Sequence, residues 1–127
     1  MKRIITIGLV ALMPLLAHHS IPAEYDITKM VTFKGTVTNL EWMNPHVNIY
    51  VDVVESAGKV TKWKFETLPP NTLKRLFGKD FIKQGDQIIV NAWVAKDLSQ
   101  LANIRTMTLP DGRTVSMGDG WGMEKRQ

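Results

Sequence analysis

Met30-Val31-Thr32-Phe33-Lys34-Gly35-Thr36-Val37-Thr38-Asn39-Leu40-Glu41-Trp42 is the stretch whose reading decides the fold. It begins as an alternation, with Val31, Phe33 and Val37 on one face and Thr32, Lys34, Thr36 and Thr38 on the other. Side chains alternate across a strand with a period of two, so this spacing predicts a strand with one face in a core. The phase then flips, because Leu40 and Trp42 continue the apolar series on even numbers. A flip beside Gly35 predicts a bulge or strong bend, the device that curls a long first strand around a small barrel.

Working outward, Val47, Ile49, Val51 and Val53 alternate with His46, Asn48, Tyr50 and Asp52, which predicts a second strand. Ser56-Ala57-Gly58-Lys59 reads as a hairpin turn, followed by a third strand over 60–67 with Trp63 and Phe65 inward and Lys62, Lys64 and Glu66 outward. Two prolines, Pro69 and Pro70, break that strand. Asn71 is the expected cap of a short helix ending at Gly78, with Leu73, Leu76 and Phe77 on one face to plug an open end of the sheet. Residues 87–95 and about 102–109 read as two further strands, and 113–117 as a short return after Pro110-Asp111-Gly112. Three strands, a helix and two strands is the order of the five-stranded OB barrel, an all-β fold. Another small β-barrel or sandwich is the alternative.

The chain of 127 residues, 44% hydrophobic and 22% charged, has room for one such domain. Ahead of it, Met1-Lys2-Arg3 and the apolar run to Ala17 have the parts of a secretory signal, and the run is too short to span a membrane. The expected organisation is therefore a signal peptide over 1–17, a lead segment over 18–29, the barrel over 30–117 and a loose tail over 118–127. The product is expected in the periplasm without a transmembrane anchor. A cut after Ala17 makes His18 the mature N-terminus; a cut after Ala23 discards His18 and His19. The first directly follows the apolar run and is the expected one. Without the signal the formal charge falls from +4 to +2, too weak a basic excess for a nucleic-acid binder, and none is expected.

Several short motifs resemble a family of small exported bacterial proteins of unknown function. They are His18-His19-Ser20, Glu24-Tyr25-Asp26, Lys34-Gly35-Thr36-Val37, Glu41-Trp42-Met43-Asn44-Pro45-His46, Pro70-Asn71, Gly85-Asp86 and Leu109-Pro110-Asp111-Gly112. The resemblance covers most of the mature chain and implies a periplasmic, OB-like single domain. It implies no reaction and no ligand. Asn48 departs from it, standing where the family often has an aromatic residue.

With no cysteine, metal chemistry falls to His, carboxylate, Met or backbone groups. All three histidines lie in two motifs, His18-His19 and Pro45-His46. An N-terminal histidine offers amine and ring to one ion, and a second imidazole completes a three-nitrogen set that suits Cu(II). The expected metal residues are therefore His18, His19 and His46, with copper the expected ion. The bland reading makes His18-His19 a solvated arm and His46 a hydrogen-bonding residue at a strand start. Met30, Met43, Met107, Met117 and Met123 read as core fillers, and of these Met43, three residues from His46, is the one to test as a soft ligand. Glu24 and Asp26 are expected to be solvated. No hydrolase, zinc-protease or phosphate-loop motif marks an enzyme. The outer face of the second and third strands, carrying Tyr50, Lys62 and Lys64, is the expected surface for an envelope protein or an anionic glycan.

Overall fold

The first strand runs for 17 residues, β1 Tyr25–Glu41, and each half pairs with a different neighbour. The computed structural model describes residues 20–118. They form α1 Ile21–Glu24, β1, β2 Asn48–Val54, β3 Val60–Glu66, α2 Pro70–Phe77, β4 Gln87–Ala95, β5 Leu101–Thr108 and β6 Thr114–Ser116. The sheet order is β3-β2-β1-β4-β5-β6, and β3 pairs again with β5 in parallel, through Lys64↔Leu101, Phe65↔Ala102 and Glu66↔Asn103. That second pairing closes five strands into a ring, with β6 hung on β5 as a short hairpin. The architecture is the OB-like barrel, with its helix between the third and fourth strands.

Gly35 and Thr36 belong to both halves of β1 at once: Gly35 faces Val53 of β2 and Ile88 of β4. A Cβ at Gly35 would collide with the Asp52 carbonyl oxygen and stand 2.7 Å from Val51 Cγ1, so only glycine lets β2 approach. The register then shifts between Val37 and Asn39, leaving Thr38 as the bulged residue. Beyond it Leu40 and Trp42 pack against the core, as the phase flip requires.

Val37, Val47, Ile49, Val51, Phe65, Val90, Ala92, Ile104 and Met107 fill the barrel, each with almost no exposed surface. Trp63 is only half-buried, although it points to the same side as Phe65. It sits at the rim against Phe33, ring centroids 4.6 Å apart, with its indole N–H donating to Thr61 at 3.2 Å. Leu73 of α2 is fully buried and Phe77 packs at a tilt against Phe81, whereas Leu76 is 49% exposed and plugs nothing. An eight-residue helix over a barrel mouth turns a narrow stripe inward, and Leu76 lies at its outer border. Nor does Asn71 cap this helix. Pro69 is the N-cap residue and Pro70 occupies the first turn, where its missing N–H costs nothing.

The lead segment differs most from expectation. Strand β1 starts at Tyr25, so only five described residues precede it, four of them in α1. Tyr25 pairs with Ala95, the Lys96 N–H donates to Glu24 O at 3.0 Å, and Lys96 Nζ donates to Pro22 O at 2.6 Å. This segment is built onto the end of β4. Met30 and Met43, expected as core fillers, are 53% and 44% exposed, while Met107 and Met117 are buried. Met123 and the expected tail beyond Gly118 lie outside the described residues.

Candidate functional site

Barrel closure gathers one cluster of polar side chains around the carboxylate of Glu66, the last residue of β3. His46 stands two residues ahead of β2, after a cis Asn44–Pro45 peptide. Its Nδ1 lies 3.1 Å from Glu66 Oε1, with the side chains 29% and 17% exposed. From the other side the Tyr25 hydroxyl donates to Glu66 Oε2 at 2.8 Å. One carboxylate thus holds the start of β1 and the imidazole before β2. Burial first, then the charge and the hydrogen bond of Glu66, push the Tyr25 hydroxyl well above its ordinary pKa, which keeps it a protonated donor.

The register continues this level around the barrel. Glu41 pairs with Asn48, Asn48 with Glu66, Glu66 with Asn103 and Asn103 with Trp93. Glu41 Oε2 accepts from the Tyr50 hydroxyl at 2.8 Å and from Asn48 Nδ2 at 3.5 Å. That hydrogen bond is the main reason the Tyr50 pKa is raised. Asn103 is fully buried, and neither Oδ1 nor Nδ2 has a hydrogen-bond partner among the described residues. The Arg105 guanidinium stacks over Trp93, 4.2 Å from the ring centroid.

Of the expected metal residues, His46 is therefore tied to a carboxylate, while His18 and His19 lie outside the described residues. Among the described residues no group of three or more His, Asp or Glu is placed to hold a metal ion. Tyr50, Lys62 and Lys64 do come together: with Thr38, Trp63 and Gln100 they line an open cleft of about 380 Å³. Lys62 Nζ lies 3.3 Å from Asp52 Oδ1, but at 86% side-chain exposure that pair is solvated. Asp26 accepts from the Thr28 hydroxyl and N–H at 2.6 and 3.0 Å, and those bonds hold its pKa down. Two members of the central cluster, Tyr25 and Glu66, escaped the reading of the sequence as site residues. The family-like Glu24-Tyr25-Asp26 motif was the signal for the first. For Glu66 an outward carboxylate at the end of a strand was the only sign.

Residues 8–103 match a family of unknown function, DUF6152. The chain belongs to that family. No curated protein matches it. Among solved structures it is similar to a mitochondrial single-stranded DNA binding protein from S. cerevisiae, with a TM-score of 0.51 and 11% identity. The alignment covers 64% of this chain and 92% of that one. At that identity the likeness shows the fold alone, and it agrees with the ring of five strands. As for the membrane, no helix among the described residues is long and apolar enough to cross one.

Proposed function

We propose that this DUF6152 chain is an exported, non-enzymatic binding protein of the bacterial envelope that holds one Cu(II). His18 would bind through amine and ring and His46 through its imidazole, with His19 as fourth ligand or substitute. The observation that carries the reading is the shared carboxylate: Tyr25 and His46 both meet at Glu66. For one ion to join the two histidine motifs, the segment after Ser20 must return to the start of β2. Tyr25 meets Glu66 beside His46, and Glu24 and Pro22 hold the same segment to Lys96 beyond β4, which supports a small entropic cost of ordering the arm on metal binding. Copper titration of the periplasmic product, with its N-terminus fixed by mass spectrometry, tests this. One equivalent is expected, lost on His46→Ala and on adding a residue before His18. Affinity that survives both changes, or a mature chain beginning at Glu24, removes the assignment.

A second reading rests on the cleft that brings Tyr50, Lys62 and Lys64 together: an envelope protein or anionic glycan bound there without metal. It is separated from the first by Lys62→Glu with Lys64→Glu, which abolishes glycan binding and leaves copper binding unchanged. The DNA named for the structural neighbour is not extended to this chain. A charge of +2 after the expected cleavage gives phosphates little to bind, and an exported protein seldom meets nucleic acid.

A further inference from the structure

Independently of copper, and resting on the second reading that this surface takes an envelope protein, we infer that the edge of β3 over residues 60–63 receives an acidic segment of that protein as an added strand. Strand β3 pairs with β2 along its whole length but with β5 only from Lys64 onward. Among the described residues, no strand pairs with the other edge of its first half. Two bonds fix what that edge presents. Lys59 O accepts from Glu55 N–H at 2.8 Å on the β2 side, while Lys64 N–H donates away from β2, to Gln100 O at 3.0 Å. Backbone groups alternate in direction along a strand, so Val60 and Lys62 turn their N–H and C=O off the open edge. Main-chain bonds of this kind are what an added strand uses for affinity.

The charges select the occupant. Residues 59–64 carry Lys59, Lys62 and Lys64 and no carboxylate. Asp52 answers Lys62 across the strand pair at 3.3 Å, but in solvent, so that contact gives way at little cost. A second copy is the poorer occupant, because antiparallel pairing of two such edges about Lys62 sets these lysines side by side. An acidic strand gains where a second copy is repelled. Its alternate side chains continue the two faces of β3, with carboxylates beside Lys62 and Lys64 and apolar groups on the side of half-buried Trp63. All three of these residues line the open cleft, which gives those side chains room. The partner segment is therefore extended, with acidic and apolar residues in alternation.

The probe is a short synthetic peptide of alternating Glu and Val, titrated into the mature exported protein. Binding should saturate, and the N–H groups of Val60 and Lys62 should gain protection from hydrogen exchange. Lys62→Gln and Lys62→Pro lose the same charge, but only proline also loses the outward N–H, and it breaks no bond to β2. Lys62→Pro should therefore bind about tenfold more weakly than Lys62→Gln. Thermal melts verify that both variants fold; if Lys62→Pro does not, exchange protection in the wild type carries the test. Equal affinities in the two folded variants, or peptide binding that leaves both amides unprotected, overturns strand addition and leaves the second reading standing. So does binding of an alginate oligosaccharide in place of the peptide. Dimers in sedimentation that Lys62→Pro dissolves overturn it in favour of a second copy. A wild-type protein that binds neither probe overturns the second reading itself.

Discussion

Gly35 shows how much one residue carries in this barrel. It sits where β1 passes from one partner to the other, and the space for its side chain is taken by the backbone of β2 at Asp52. Gly35→Ala should therefore destabilise by about 1–3 kcal/mol, the usual range for overpacking a tight site, because backbone cannot swing aside as a flexible side chain can. Urea unfolding measures it; a loss within about 0.5 kcal/mol would mean that β2 moves without cost. Trp63 teaches the opposite lesson. Alternation placed it inward with Phe65, and its direction is right, but period says nothing about depth. Trp63 lies at the rim and keeps part of its surface in water, so its truncation costs less than that of the fully buried Phe65.

The elements that were legible in the sequence are those whose burial alternates along one strand. The phase flip before Leu40 is the bulge at Thr38, and the hairpin at 56–59 closes with Glu55 N–H on Lys59 O at 2.8 Å. Helix α2 was legible as an element but not in its facing, and a pair of substitutions tests the correction. Leu73→Ala should cost about 2–5 kcal/mol, whereas Leu76→Ala should stay within about 0.5 kcal/mol. Equal losses in denaturant titrations would restore Leu76 to the barrel mouth. The lead segment was not legible because it is held by backbone carbonyls and one tyrosine, contacts that leave no period in a sequence. The Glu66 cluster was hidden for a related reason. Of its members, His46 meets Glu66 through the pairing of β2 with β3, and Tyr25, docked on the end of β4, reaches the same carboxylate because β3 closes onto β5.

At the scale of the whole molecule, Tyr25 is a strap joining the start of the described chain to the far strand of the ring, and its chemistry sets an alkaline limit on the fold. Four aspartates, Asp26, Asp86, Asp97 and Asp111, have pKa values lowered by local hydrogen bonds, so their contribution is present above the ordinary value of 3.8 and fades as pH falls below it. Tyr25 has the opposite sign. Its pKa is raised from an ordinary 10.0, first by burial and then by Glu66, so the folded state binds this proton more tightly than the unfolded chain. The stability it confers is complete below pH 10.0 and declines as pH climbs above it towards the higher folded value. Tyr25→Phe should accordingly lose about 1–3 kcal/mol at neutral pH, where Glu66 forfeits a donor, and show a flatter alkaline limb. Denaturant unfolding at intervals from neutral pH to about pH 11.5 should then find wild type and variant converging above pH 10.0. Parallel curves across that range would mean that the hydroxyl ionises as easily in the barrel as in the unfolded chain, and that the strap is not closed.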